Sequence, residues 1–173
     1  MPLPCISQDQ GTYLDTPFTE EELRDAINAL PKHKSPSPDG LSNYYYIKFA
    51  KQLTPHLLQL INTIKQSGTM PREMLEAFIV TLPKPNKPPT NCANLRPISL
   101  LNSDVKLYAK MLATRVKTLF PTFISPEQAG FVPGKQVGDN TRHFINLIDW
   151  ANHSSQQGLV LALDSEKVFD HLH

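Results

Sequence analysis

The stretch "LVLALDSEKVFD", residues 159–170, places five consecutive apolar residues directly before the carboxylate of Asp164. A near-continuous apolar run is typical of a strand that is covered on both faces of a sheet, and we expect the last strand of the chain over residues 158–164. A buried charge without a partner is strongly unfavourable. The pattern therefore indicates that Asp164 is paired or holds a metal ion, although a strand-end aspartate more often caps the turn that follows.

The composition is that of one ordinary globular domain. The chain has 173 residues, of which 40% are hydrophobic and 19% are charged, and its sixteen prolines against seven glycines indicate stiff, extended connections. Cys5 and Cys92 lack the spacing of a metal site, which favours reduced thiols in an intracellular protein, without distinguishing nucleus from cytoplasm. We expect neither a signal peptide nor a membrane span.

Charge is distributed unevenly along the chain. The formal balance is −5 over residues 1–30, +9 over residues 31–142 and −3 over residues 143–173. A basic middle followed by an acidic end is suited to a polyanion track that leads to a cation-binding centre. Ordinary solvated surface charge is the alternative interpretation.

Apolar residues recur at helical spacing in four segments, and two of these carry clear start or stop signals. Thr19, with Glu22 three residues later, is a capping box that predicts a helix start. Pro55 predicts the first turn of the next helix and Gly68 its end. The predicted helices are residues 19–30, 54–68, 103–120 and 140–154. The apolar face of the first comprises Leu23, Ala26, Ile27 and Leu30.

Strand signals are fewer than helix signals. Residues 76–87, "EAFIVTLPKPNK", begin as a strand and break into a proline-rich loop, and residues 31–40, "PKHKSPSPDG", are a loop throughout. Helices and strands do not alternate regularly. This order favours an α+β fold over a doubly wound parallel sheet.

Four blocks, taken in order, identify the family that the sequence resembles. They are "HKSPSPDGL" (33–41), "IVTLPKPNKPPTNCANLRPISLLNSDVKLYAKMLATRV" (79–116), "EQAGFVPGKQVGDNTR" (127–142) and "LVLALDSEKVFDHLH" (159–173). Together they resemble the reverse transcriptases of LINE-type (non-LTR) retrotransposons, from about residue 19 to the end. The resemblance implies a partial right-hand polymerase fold, with a fingers-like region over 19–157 and the first palm strand within 158–173. Residues 1–18 are expected to be a poorly ordered extension.

The resemblance assigns the catalytic role to Asp164, which matches the family's aspartate that binds two Mg²⁺ ions. Phe169 matches the steric gate under the sugar of the incoming nucleotide, although a core phenylalanine is the alternative. Asp170 is expected to be a local capping or structural group. The family's second carboxylate block, an aromatic-x-Asp-Asp hairpin, lies further downstream, so we expect the chain to end before the rest of the palm and to be inactive alone.

The block "NLRPISLLN", residues 94–102, resembles the part of the fingers that contacts the incoming triphosphate. Arg96 matches the family's triphosphate-binding arginine, and a planar guanidinium is suited to bidentate contact with phosphate. Lys84 and Lys87, in the adjacent proline-stiffened loop, are further candidates for nucleotide binding. Solvated or salt-bridging surface side chains are the alternative for all three.

The block at 127–142 resembles the segment that lines the template in these enzymes. Its candidate template-binding residues are Gln128, Gly130, Phe131, Gly134, Lys135 and Asn140. The glycines allow close approach of the backbone, and the phenylalanine is suited to stack on a base. A turn-rich connector with a buried phenylalanine is the alternative. Ser37 stands where the family usually has glycine, and a positive φ there would strain the loop.

The function that the resemblance implies is part of an RNA-directed DNA polymerase, which performs template-directed nucleotidyl transfer. Its partners would be an RNA template, a DNA primer and deoxynucleotides, with magnesium as cofactor. A catalytically silent nucleic-acid-binding remnant and an interaction module reused by the host are the alternatives. An exposed apolar strand at the end of the chain also predicts self-association.

Overall fold

The computed structural model describes residues 5–32, 34, 36–37, 39–125, 127–130, 132, 134–154 and 157–163. The chain divides into two compact units, Met1–Phe123 and Ile124–His173. Within their described parts, the first unit contains six helices and a two-stranded sheet, and the second contains one long helix. This mixture of helices with a small antiparallel sheet agrees with the predicted α+β class.

The elements of the first unit are numbered in chain order. Its helices are α1 (Gln8–Asp15), α2 (Glu20–Asn28), α3 (Asn43–Lys48), α4 (Ala50–Ser67), α5 (Arg72–Leu75) and α6 (Ser103–Phe123). Its strands are β1 (Phe78–Pro83) and β2 (Leu95–Leu100), with a 3₁₀ turn, Cys92–Asn94, before β2. The helix of the second unit is α7 (Val137–Ser154). None of the described helices is both long enough and apolar enough to cross a membrane.

Helix α2 begins where the capping box predicts. The backbone N–H of Glu22 donates to the Thr19 hydroxyl, and the Glu22 carboxylate accepts from the Thr19 backbone N–H at 2.8 Å. Two of the N–H groups that a helix start leaves without partners are thereby satisfied. All four residues of the predicted apolar face are buried, which confirms the prediction.

Helix α4 begins four residues earlier than predicted. The Phe49 carbonyl accepts from the N–H groups of Gln52 and Leu53, so the first turn forms ahead of Pro55, which lies in the second turn. The Thr54 hydroxyl donates to the Ala50 carbonyl at 2.6 Å, in the turn where proline lacks a backbone donor. The predicted end is confirmed, because Gly68 adopts a left-handed φ of 65° and caps the helix.

The core of the first unit lies between α2, α4 and α6. Its most deeply buried large side chains are Leu23, Ile27, Ile61, Leu107 and Met111. Each comes from the apolar face of its own helix, and burying one such side chain stabilises the fold by about 1.5–3 kcal/mol. The three helices therefore carry most of the hydrophobic stabilisation of this unit.

Residues 8–15 form α1, although we expected residues 1–18 to be poorly ordered. The helix starts with a second capping box, in which the Gln10 backbone N–H donates to the Ser7 hydroxyl and the Gln10 side chain accepts from the Ser7 N–H. The helix buries none of its own residues. Contacts made by the chain that follows it, rather than an apolar face, hold this segment on the unit.

Lys65 and Arg115 provide those contacts, and the Lys65 ammonium donates to the backbone carbonyls of Leu14 and Thr16. Arg115 is only 3% exposed, and its side chain forms a two-point ion pair with Glu22, at 2.6 and 2.8 Å. Its guanidinium also donates to the backbone carbonyls of Leu14, Thr16 and Pro17. Every polar direction of the planar group thus has a partner, as a buried guanidinium requires. Arg115 ties the chain after α1 to both α2 and α6.

Strands β1 and β2 pair antiparallel, from Phe78 opposite Leu100 to Pro83 opposite Leu95. Strand β1 lies where the sequence pattern predicts, whereas β2 was not predicted. Pro97 interrupts the β2 sequence, and proline is compatible with a strand only where its missing N–H faces away from the partner. A two-stranded sheet leaves such an outer edge, which explains why this strand tolerates a proline.

The second unit contains α7, which starts three residues before its predicted first residue, 140. The predicted final strand is wrong for residues 158–163, because no backbone ladder forms there among the described residues. An extended segment becomes a strand only when a neighbour satisfies its N–H and C=O groups. Leu159 and Leu163 are 91% and 84% exposed. Asp164, at the end of the predicted strand, lies outside the described residues.

Candidate nucleotide and nucleic-acid site

The β1–β2 hairpin presents an apolar face that ends in one cation. Because side chains alternate across a strand, Arg96 and its partner Leu82 lie on the same face. The rest of that face comprises Phe78, Val80, Ile98 and Leu100, all of them exposed. A charged group beside exposed apolar side chains is suited to a ligand that has both a flat apolar part and an anionic part.

The turn of the hairpin is closed by its own hydrogen bonds. The Lys84 backbone N–H donates to the Asn94 carbonyl at 2.8 Å, and the Lys84 ammonium donates to the Ala93 carbonyl at 2.8 Å. Asn94 donates from its side chain to the Pro88 carbonyl at 2.9 Å. Asn86 adopts a left-handed φ of 59°, a conformation that asparagine tolerates better than most residues. The Lys84 side chain therefore supports the turn.

Arg96 and Lys87 are the hairpin cations with free side chains. Both are exposed, and neither side chain has an ion pair or a hydrogen bond with the part of the chain that the structure describes. Residues 77–102 contain no aspartate or glutamate, so these charges are not neutralised within the hairpin. The geometry leaves both cations able to contact an anion.

A buried polar cluster anchors the start of α6, directly after β2. The Ser103 hydroxyl donates to the Asn43 side-chain oxygen at 2.9 Å and lies 3.0 Å from the Ser37 hydroxyl. Ser37 does not have a positive φ, so the strain considered from sequence does not arise; Gly40 takes the left-handed conformation instead, at φ 78°. Ser37 and Asp39 thus fix the base of the hairpin, and the Asp39 N–H donates to the Asn102 side-chain oxygen at 3.3 Å.

Acidic side chains lie close to that base. Asp39, Glu73, Glu76 and Asn102 line a cavity of about 210 Å³. Burial, together with the nearby charge of Asp39, raises the pKa of Asp104. Across the described residues no group of three or more histidine, cysteine, aspartate or glutamate side chains is placed to hold a metal ion. Asp164 and Phe169 lie outside these residues, so the structure does not supply a magnesium ligand set.

The candidate template block lies in the second unit. Gln128 donates from its side chain to the Gly130 carbonyl at 3.2 Å, and a Cβ at Gly130 would meet that amide at an ordinary 3.7 Å. Gly134 adopts a φ of 78°, which favours glycine. The Lys135 N–H donates to the Val132 carbonyl at 3.2 Å, within the same turn. Asn140 is exposed in α7. Phe131 lies outside the described residues.

The hairpin thus brings Lys84, Lys87 and Arg96 together, and the second unit holds the described template candidates separately. Sequence reasoning missed Arg115, whose partners lie about a hundred positions earlier, and the serine–asparagine cluster. A signal for α1 was present, because Ser7 and Gln10 have capping-box spacing. Nothing in the sequence indicated that the Lys84 ammonium donates a hydrogen bond within its own turn.

Comparison with known protein families identifies the family of this chain. Residues 82–173, just over half of the chain, match the family described as "Reverse transcriptase (RNA-dependent DNA polymerase)", and the chain belongs to that family. The matched segment begins in β1 and therefore includes Lys84, Lys87 and Arg96.

The relatives narrow the class to transposon proteins. The chain is 33% identical, over 97% of its length, to the "Transposon TX1 uncharacterized 149 kDa protein" of Xenopus laevis, of which it covers 13%. It is 27% identical over 91% of its length to the "RNA-directed DNA polymerase from mobile element jockey" of Drosophila melanogaster, and covers 18% of it. The predicted resemblance to LINE-type reverse transcriptases is confirmed. The chain spans less than a fifth of the length of these relatives.

Proposed function

We propose that this chain contributes the nucleotide-contacting fingers of a polymerase that copies RNA into DNA. The observation that carries the proposal is Arg96, an exposed cation in a hairpin without acidic residues and without a partner among the described residues. The family's reaction uses a nucleoside triphosphate, and its phosphates are the anion that Arg96 would contact. The right-hand polymerase arrangement belongs to this proposal: residues 19–157 are the fingers, and the first palm strand within 158–173 forms only when the rest of a palm supplies a neighbouring strand.

Within the hairpin the three cations take different roles. Arg96 offers two parallel N–H groups to phosphate oxygens, a geometry that fixes orientation as well as charge. Lys87 acts as a mobile point charge beside it. Lys84 keeps the turn in shape through its bond to the Ala93 carbonyl and does not contact the phosphates itself.

Asp164 and Phe169 complete the proposal, from sequence alone. Asp164 would hold magnesium, which supplies activation of the attacking 3′-hydroxyl and neutralisation of the leaving pyrophosphate when it is bound. Phe169 would lie under the sugar and exclude a 2′-hydroxyl. In a polymerase that carries this segment, we expect Phe169→Val to admit ribonucleotides while deoxynucleotide use is largely kept. An unchanged preference for deoxynucleotides would assign Phe169 to the core instead.

The template block would contact the RNA strand. Gly134 brings the backbone close through its left-handed turn, and Gln128, Lys135 and Asn140 offer polar groups to sugar and phosphate. Gly130 and Phe131 belong to the same proposal, with Phe131 stacking on a base. A DNA primer is the remaining partner that the reaction requires.

Titration with a deoxynucleoside triphosphate, followed by NMR of the labelled chain, tests the hairpin. We expect shifts at the amides of β1 and β2, and Arg96→Gln should weaken binding about tenfold or more, since hydrogen bonds to charged groups contribute about 1.5–3 kcal/mol. Arg24→Gln is the matched control, because that arginine is exposed and lies on α2. Equal weakening by both substitutions would contradict a specific role for Arg96.

Nucleic-acid binding gives an independent test. The charge balance of +9 over residues 31–142 predicts sequence-tolerant binding to RNA whose affinity falls steeply with salt, because phosphate neutralisation releases counterions. An affinity that stays flat between low and physiological salt would count against nucleic acid as a partner.

Self-association is a further part of the proposal. The apolar residues 159–163 are exposed, and an exposed apolar segment with free backbone groups is a template for pairing between chains. Removing residues 157–173 should reduce the apparent mass in light scattering while most of the helical signal remains. A monodisperse monomer with slow amide exchange at 159–163 would argue against it.

A further inference from the structure

Helix α6 carries a row of lysines beside the face that it buries in the core. Lys106, Lys110 and Lys117 are spaced by four and seven residues, which places them on one side of the helix. The side chains that α6 buries in the core are Leu107, Met111, Arg115 and Leu119, and they occupy a different face. Lys110 and Lys117 are exposed, and Lys106 is half-buried. We call these three lysines the α6 lysine row.

The charges of the α6 lysine row are not neutralised within the described chain. None of the three lysines forms an ion pair with any side chain that the structure describes. The only acidic residue of α6 is Asp104, which lies on the opposite face. Arg115, the remaining cation of the helix apart from the row, is fully occupied by Glu22 and three carbonyls. The row is therefore a positive strip about 16 Å long, at 1.5 Å per residue.

Two acidic side chains of α2 lie near Lys110, and one of them, Glu22, is already bound by Arg115. Asp25 of α2 and Lys110 line the same cavity, of about 230 Å³, between α2 and α6. The two groups do not form an ion pair, so Asp25 lowers the positive potential at Lys110 without occupying it. Removing this carboxylate should strengthen the attraction of the row for anions.

We propose that the α6 lysine row binds the sugar–phosphate backbone of a nucleic acid. Three cations in a line, each on a flexible stem, match a strand that offers a phosphate to each in turn and carries no demand for base recognition. This inference rests on the proposed function, because that function supplies the nucleic acid. It adds a contact surface that is separate from the hairpin cations and from the block at 127–142.

The test compares two triple variants of the whole chain. The test variant is Lys106→Gln, Lys110→Gln and Lys117→Gln; glutamine keeps helix propensity close to that of lysine. The control variant is Lys32→Gln, Lys34→Gln and Lys51→Gln, which removes three exposed lysines elsewhere in the basic region. Fluorescence anisotropy measures binding to oligouridylate of about 15 nucleotides and to an RNA–DNA duplex of similar length.

The test variant should lose about tenfold in affinity at low salt, and the slope of log affinity against log salt should fall by about 2 on the single strand. The control variant should change affinity about threefold or less, and Asp25→Asn should raise it about twofold. The arm with the larger loss identifies whether single strand or duplex occupies the row. If the triple variant loses helical signal, Lys117→Gln alone should lower the slope by about 0.7.

The outcomes separate this inference from the proposed function. Wild-type chain that binds neither nucleic acid overturns both. Wild-type chain that binds, with equal affinities for the test and control variants, overturns the lysine row alone and leaves the proposed function standing. That second result would also be expected if an acidic protein surface, rather than nucleic acid, occupied the row.

Discussion

The helices of the first unit and its β1–β2 hairpin differ in how deeply their side chains are buried. Leu23 and Leu107 are completely buried, whereas the hairpin is exposed along nearly its whole length and Phe78 is 62% exposed. An isolated two-stranded hairpin is marginal in water. The free energy of folding therefore resides in the helices, and the proposed contacts to nucleotide reside in a segment that contributes little to it. Substitutions should separate the two properties cleanly.

The largest effect is expected for Arg115→Met. The substitution leaves the Pro17 carbonyl without its donor and removes the Arg115 hydrogen bonds from the Glu22 carboxylate, while Lys65 still donates to the carbonyls of Leu14 and Thr16. Breaking a buried ion pair in this way costs about 3–5 kcal/mol. Urea unfolding followed by circular dichroism measures the loss.

Arg24→Met provides the comparison. Arg24 pairs with Glu20 at 2.5 Å on the exposed face of α2, and exposed pairs of this kind contribute about 0.3–0.5 kcal/mol. Equal destabilisation by the two substitutions would mean that Arg115 acts only through its charge and not through its buried contacts.

Truncating one apolar side chain in each region tests the contrast directly. Leu107→Ala should destabilise the chain by about 2–5 kcal/mol, because it opens a cavity in a filled core. Ile98→Ala, in the hairpin, should change the free energy of unfolding by less than about 1 kcal/mol. A large loss at Ile98 would show that the hairpin face is covered in solution.

Acid should lower the stability of the helices of the first unit by protonating Glu22. The Arg115 hydrogen bonds lower the pKa of this carboxyl to about 2 from an ordinary 4.5. The Glu22 carboxyl thus takes up its proton at a lower pH in the folded form than in the unfolded form. Its stabilisation of the fold is therefore complete above pH 4.5 and is lost as the pH falls towards 2. The loss should be on the order of 2–3 kcal/mol in unfolding experiments across that range. Arg115→Met should flatten most of this dependence.

A smaller effect is expected at the buried polar cluster. Ser103→Ala removes the donor to the Asn43 oxygen and the partner of the Ser37 hydroxyl, and leaving buried polar groups unsatisfied costs about 1–3 kcal/mol. Thr114→Ala is the matched control, since that hydroxyl only bonds to the Lys110 carbonyl of its own exposed helix face. Thermal unfolding compares the two, and identical midpoints would remove the cluster from the anchoring of the hairpin base.

Features that depend on neighbouring residues were predictable from sequence. The Thr19 capping box, the Gly68 helix end and strand β1 each follow from a few adjacent positions. The start of α4 was misplaced, because Pro55 matched the favoured first-turn position and the preceding turn has no strong signal. Strand β2 was missed because Pro97 argues against a strand. A proline is tolerated at the unpaired edge of a sheet, but the sequence does not show that β2 has such an edge.

Features that depend on distant residues were not predictable. Neither the burial of Arg115 nor its carbonyl partners leave a trace in local sequence, since charged residues are mostly exposed. The family and the hairpin cations were accessible through motif order, whereas the use of the Lys84 ammonium inside its own turn depends on the path of residues 84–94. At residues 158–163 the apolar pattern predicted a strand that does not form among the described residues, because an apolar pattern alone cannot supply a strand partner.

The Arg115 tie also sets an order of events during synthesis on the ribosome. Glu22 and the carbonyl of Leu14 precede Arg115 by 93 and 101 positions, and at about 5–20 residues per second the ribosome needs roughly 5–20 s to add that many residues. Throughout that interval Lys65 can already donate to the carbonyls of Leu14 and Thr16, whereas the Glu22 carboxylate and the Pro17 carbonyl lack their Arg115 donor. The second attachment of this segment, through Arg115, therefore forms only after α6 has left the exit tunnel.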